Sequence, residues 1–232
     1  MVDAQVRFAS DHSLLITLGR EISRELQRRV ARLCVQIRTE NLDAVRNLHP
    51  AYGSVLITFD PLRISEEGLE ATAAKWMRQL DSTELPPARH VDIPVCYGSD
   101  FGPDLEDVAA YAGLSRDDVV RIHSSVEYFV YFLGFSPGFP YLGELPQSLA
   151  VPRLSTPRTR VPAGSIAIGG TQTGIYPTAS PGGWRIIGRT PLELFHPMEK
   201  TPTLLQMGDL VRFRPIPADE FARIARVHRR RA

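Results

Sequence analysis

Lysine is almost missing from this chain of 232 residues: only Lys75 and Lys200 occur among 27 basic residues. A GxxxxGK[ST] phosphate loop needs a lysine directly after its last glycine, and neither lysine stands there, so a Walker-type nucleotide site is excluded. Cysteine is as sparse. Cys34 lies in a helical pattern and Cys96 at a strand end, with no CxxC or metal-ligand spacing, so both read as buried thiols rather than a disulfide framework or a zinc site. No stretch approaches the roughly 18 apolar residues of a membrane helix, and the start MVDAQVRF lacks the basic and apolar regions of a secretory leader. A cytosolic protein without a membrane partner is the expectation. A net charge of +1 removes any whole-chain argument for nucleic acid, and the one basic cluster, residues 228–231, reads as a solvated helix end.

Acidic residues are absent altogether from 145–192, where Arg153, Arg158, Arg160, Arg185 and Arg189 give a local charge of +5. Between Gly134 and Pro191 the chain also concentrates 10 of its 17 glycines and 9 of its 19 prolines. A disordered tract of that kind lacks large apolar residues, whereas this one interleaves Phe135, Phe139, Tyr141, Ile166, Ile168, Ile175, Tyr176, Trp184 and Ile187, so it is expected to fold into short strands joined by specified turns. Arginine forks beside glycine-rich backbone point to an anion-facing surface.

The length suits two domains. In the first, strands are expected over 5–9, 14–18, 45–49 and 54–59. Ile22, Leu26, Val30, Leu33 and Ile37 form an apolar stripe on a helix from about residue 21 to 38, and Ser65-Glu66-Glu67 opens a second helix. The order ββαββα predicts an α+β fold, a small sandwich of an antiparallel sheet with both helices on one side, over 1–86. The polar stretch 81–87 is the boundary. In the second domain, 87–232, helices are expected over about 103–111, 115–123 and 218–227, with an apolar strand over 127–135. The many short strands in between argue for a barrel or a rolled sheet.

Several residues carry candidate chemistry. His123 ends a helix, whose C-terminus favours a protonated imidazole able to donate a proton. Gly169, Gly170, Thr171, Gln172, Thr173 and Gly174 follow a strand and could form a backbone nest for an anion, or a plain hairpin turn. Ser136, Ser165 and Ser180 sit among glycines, but none lies in a GxSxG elbow, which argues against a serine hydrolase. The aromatics of this region read as core, with the run Pro-Gly-Phe-Pro-Tyr at 137–141 as an exposed turn.

In order, GFSPGFPYL, VPR…TPR…VPAGS, TGIYP…SPGGW, IGRTP and GDLVRF resemble the motifs of the bacterial 5-oxoprolinase B-subunit family, also labelled allophanate hydrolase subunit 1 and sporulation-kinase inhibitor. The resemblance covers 93–216. It implies an N-terminal α+β domain and a C-terminal cyclophilin-like β-barrel. It implies, too, a non-autonomous polypeptide that works with a homologue of the larger C-type subunit, and with an A-type subunit, to open the small-molecule lactam 5-oxo-L-proline to L-glutamate with ATP and Mg2+. Such chemistry must hold a carboxylate and a phosphoryl group together. His123 and Arg158 are then the candidate catalytic residues, and Arg153, Arg189, the 169–174 loop and Tyr176 the candidates for anion binding. No magnesium-ligating acidic cluster is visible in the motif region, so the nucleotide is expected to sit mainly on a partner. Two other readings come with the family labels: inhibition of a sensor histidine kinase through an apolar rim of Pro137, Phe139 and Pro140, and a carboxyltransferase-like role in urea or allophanate metabolism.

Overall fold

A computed structural model describes residues 4–229, with side chains to 227. The basic cluster at 228–231 therefore lies outside the described side chains. The chain divides into two compact units between Pro87 and Ala88.

The first unit runs β1 (Gln5–Ser10), β2 (Ser13–Thr17), α1 (Arg24–Glu40), β3 (Val45–Pro50), β4 (Ser54–Phe59) and α2 (Glu66–Gln79). Its strands pair antiparallel in the order β1-β2-β4-β3. Period-two alternation buries Val55, Ile57 and Phe59 of β4 and Leu14 and Ile16 of β2, the side covered by helices whose own stripes bury Leu26, Val30, Leu33, Ile37, Leu69, Ala73 and Trp76. The helical stripe begins one turn later than its sequence period suggests. Ser23 caps α1 by accepting the Leu26 N–H, and Ile22, outside that cap, is 58% exposed.

The second unit continues with β5 (His90–Tyr97), α3 (Leu105–Ala112), α4 (Arg116–Ser125), β6 (Glu127–Leu133), β7 (Pro140–Gly143), β8 (Arg158–Val161), β9 (Ser165–Gly169) and β10 (Gln172–Ile175). It ends with β11 (Ser180–Gly182), β12 (Arg185–Arg189), β13 (Leu210–Pro215) and α5 (Ala218–Arg229). Seven of these strands close a barrel in the order β10-β7-β6-β13-β5-β12-β9. All its pairings are antiparallel except β13 with β5. Ile93, Val130, Leu142, Ile166, Ile168, Ile175, Ile187 and Val211 fill one packed core. Alternation sends Ala167, Tyr176 and Ile186 to the opposite face, where they join Phe139, Val161 and Trp184 in a second cluster. The two-stranded β8–β11 ribbon belongs to that outer face.

Glycine permits this second cluster. A Cβ on Gly169 would sit 2.6 Å from three atoms of the Trp184 indole, and one on Gly174 would sit 2.9 Å from the Phe139 ring, so both rings lie directly on backbone. Gly169→Ala should therefore overpack the face by about 1–3 kcal/mol and lower the melting temperature by several degrees. An unchanged thermal transition for that variant would show that the indole is not held against the strand.

Candidate functional site

His123 sits inside the barrel unit with no exposed surface. Thr173 Oγ1 donates to the Ala167 carbonyl at 3.0 Å, so its lone pairs accept from His123 Nε2–H, also at 3.0 Å. Nδ1 is then the acceptor of the Tyr97 hydroxyl at 2.8 Å. The ring stacks on Phe213 at 4.7 Å, and the Tyr128 hydroxyl donates to the His123 carbonyl. Every polar atom is satisfied with a neutral imidazole. Burial pushes the pKa down to about 3, the reverse of the protonated form expected from a helix end. The helix-terminus field is worth a few tenths to about 1 kcal/mol, and desolvation in an apolar core exceeds it. A proton donor for a solvent-borne substrate needs access that this residue does not have.

The glycine-rich loop is likewise structural. Gln172 pairs with Gly169, Thr173 with Ile168 and Gly174 with Ala167, leaving Gly170, at φ +65°, and Thr171 as a two-residue hairpin turn. The Gly170 N–H donates to the Val151 carbonyl at 2.8 Å. The hairpin alternative holds and the nest does not form, because that donor is spent within the fold and the strand residues pair with their neighbours. Gln172 is half-buried and Thr171 exposed at the tip.

The five arginines diverge. Arg158 Nη2 donates to Asp104 Oδ1 at 2.6 Å, and Asp104, almost wholly buried ahead of α3, also accepts the Ile186 N–H at 2.7 Å. Arg185 donates to the Pro152 carbonyl and approaches Asp107 at 3.4 Å. The local excess of +5 is thus partly cancelled by acids at α3, which lie outside the acid-free segment. Arg189 reaches over Phe101 at 5.9 Å, and Arg160 is exposed on β8.

Arg153 and Arg158 do share a place. Arg153 lies over the Trp184 indole at 5.7 Å, and both guanidinium groups act on the Tyr176 phenol. Burial pushes that phenol's pKa up, while the Trp184 backbone N–H and the two arginines pull it back. Tyr176 packs edge-to-face against Phe139 at 5.2 Å, and Phe139 against Trp184 at 5.7 Å. The result is a cationic rim on an aromatic floor. Arg158 Nη1 and the Ser136, Ser165 and Ser180 hydroxyls are buried with no hydrogen-bond partner among the described residues, and all four belong to the segment rich in glycine and proline.

Asp104 is absent from the residues that the sequence singles out, although an Asp ahead of an apolar helical period is a visible signal. Its side chain makes no capping bond and goes to Arg158 instead. The apolar rim expected at Pro137, Phe139 and Pro140 holds only at Pro137, which is exposed: Phe139 and Pro140 are buried, and the exposed aromatic of this turn is Phe135. Phe139 is drawn under by the bare backbone of Gly174.

Both cysteines are buried and unpaired, and burial raises the Cys34 thiol to about 11 and the Cys96 thiol above its ordinary value. Among the described residues no helix is long and apolar enough to cross a membrane, and no group of three or more His, Cys, Asp or Glu could hold a metal ion. The rim fits a carboxylate or a phosphoryl oxygen.

Known proteins share both the sequence and the fold. The family model described as carboxyltransferase domain, subdomain C and D, matches residues 4–205. The B subunit of 5-oxoprolinase from Bacillus subtilis (strain 168) is 40% identical over 219 residues, covering 90% of this chain and 91% of the relative. Its counterpart from Escherichia coli O157:H7, likewise a 5-oxoprolinase B subunit, is 43% identical over 215 residues, covering 93% and 97%. Among solved structures, that of TTHA0988 superposes with a TM-score of 0.78 at 38% identity over 92% of this chain, which spans only 41% of the solved chain. The K. lactis urea amidolyase, at a TM-score of 0.75 and 22% identity over 96% of this chain and 15% of its own, shares the fold.

Proposed function

From the premise that the chain belongs to the 5-oxoprolinase B-subunit family, we propose that it serves as the B-type member of a complex that opens 5-oxo-L-proline to L-glutamate with ATP hydrolysis. The observation that carries this reading is the pairing of Arg153 and Arg158 over the Tyr176–Trp184 floor, with Arg158 Nη1 buried and unpaired. A rigid fork held by Asp104 at Nη2, on a side chain 30% exposed, is suited to the carboxylate of a small acid, and the indole and phenol offer a dry surface for its ring carbons. Asp104 orients the fork, while Arg153, without a carboxylate partner among the described residues, supplies the second charge. The nucleotide's metal ion finds no ligand cluster among the described residues, so no step of the reaction is routed through it on this chain. Homologues of the C-type and A-type subunits are the partners this leaves for nucleotide binding and for closing the site.

The test is reconstitution. Co-expression with the C-type and A-type homologues should give ATP-dependent glutamate release from 5-oxoproline, and omission of this chain should abolish it. Turnover by the other two polypeptides alone, or none with all three, would overturn the reading. Calorimetry on this chain alone should detect no tight ATP binding.

A further inference from the structure

Phe135 is held in a conformation that an aromatic residue rarely takes. Its φ is +66°, and the Ser136 N–H donates back to the Gly134 carbonyl at 2.8 Å, a bond from residue i+2 to residue i around a positive-φ centre, which is the strained hand of γ-turn. The turn is locked on both flanks, by Gly134 N–H to the Phe139 carbonyl and Phe139 N–H to the Ser136 carbonyl, each at 3.0 Å. Its effect is to leave the ring 64% exposed, edge-on to Phe139 at 5.5 Å and to Tyr176 at 6.4 Å. Glycine would adopt this backbone without strain, and a polar residue would leave no apolar surface in water.

We infer that the Phe135 turn is the anchor by which the chain docks the second polypeptide of its complex, inserting the ring into an apolar pocket rimmed by carboxylates that meet Arg153. Charge decides the partner's chemistry. Arg153 has no carboxylate partner among the described residues, and the buried Ser136 hydroxyl beside the ring has no hydrogen-bond partner among them either. Phe135 lies edge-on to Tyr176, the phenol on which Arg153 also acts, and an exposed aromatic together with an arginine is the composition of an interface hot spot. Docking there would also supply the missing wall of the Arg153–Arg158 site. The inference rests on the proposed function, since it takes the partner to be the homologue of the C-type subunit.

The experiment measures binding of the purified chain to the purified C-type homologue by calorimetry, for wild type and for Phe135→Gly, Phe135→Tyr and Met198→Ala. Phe135→Gly removes the ring and relaxes the turn together, so its melting temperature should stay within about 2 °C of wild type while its Kd rises at least about 30-fold. Phe135→Tyr should bind like wild type, as should Met198→Ala, which trims a side chain that is 96% exposed elsewhere. Wild-type affinity in Phe135→Gly, or a loss of affinity matched by Met198→Ala, would overturn the anchor and leave the proposed function standing. Failure of the wild-type chain to bind the homologue would overturn both.

Discussion

Replacing His123 by Gln should flatten the acid limb of the chain's stability curve. The native imidazole has a pKa of about 3, against about 6.5 in the unfolded chain. Between those values the unfolded state binds the extra proton, so stability rises with pH across the window. The contribution is complete above the unfolded value and is lost as the pH falls toward 3. Integrated over the window, a shift of that size is worth roughly 4–5 kcal/mol. Gln can accept from Tyr97 and donate to Thr173, so the network survives at a cost of about 1 kcal/mol for the ring stacked on Phe213. Carboxylates also titrate in acid: Arg46 holds Asp60 below the usual range, and Arg121 does the same for Asp118. Their contributions fall away mainly below the ordinary Asp value and are common to both proteins, so the difference between the two curves isolates His123. Urea unfolding at half-unit steps from pH 7.5 to 4 measures it. Parallel curves would mean that the imidazole is neither sealed nor neutral, and would reopen its case as an acid in the reaction.

The same residue marks where the sequence stops being legible. Its place at the end of a helix is readable, but the burial that governs its proton comes from packing against Tyr97, Tyr128 and Phe213, which lie on three different strands. Local pattern is a good guide wherever a period or a turn residue fixes the outcome. The stripe from Leu26 to Ile37, the cap at Ser65 and the turn at Gly170 are each written within a few residues of where they act. The barrel's closure is not, because β13 pairs in parallel with β5 across more than a hundred residues. Charge is the most misleading signal. Residues 145–192 look unbalanced only when the stretch is read alone, and Asp104 and Asp107 arrive from the start of α3 to meet Arg158 and Arg185. What survives of the anion site is the part resting on aromatic packing, since Gly169 lets Trp184 lie on the strand where Arg153 can reach it, and Gly174 lets Phe139 pack close beside it.

For the reaction itself, Arg158→Lys should be more informative than Arg158→Ala. Removing the side chain would leave the Asp104 carboxylate, 4% exposed, with the Ile186 N–H as its remaining hydrogen-bond donor. Breaking a fully buried pair costs about 3–5 kcal/mol, and because Arg158 is itself 30% exposed the expected loss is nearer about 2 kcal/mol. Lost turnover in the alanine variant would then be confounded with lost stability. Lysine keeps the positive charge beside Asp104 but replaces the planar fork by a single ammonium, which cannot hold Asp104 with one nitrogen and meet a ligand with the rest of the fork. The expected result is a melting temperature close to wild type and a fall of about 10²-fold in kcat/KM for 5-oxoproline in the reconstituted complex. Arg160→Lys, at an exposed position of β8, should change neither quantity. If Arg158→Lys turned over at the wild-type rate, the guanidinium would be a structural tie to α3 alone, and the carboxylate of the substrate would have to be held by Arg153 or by another chain.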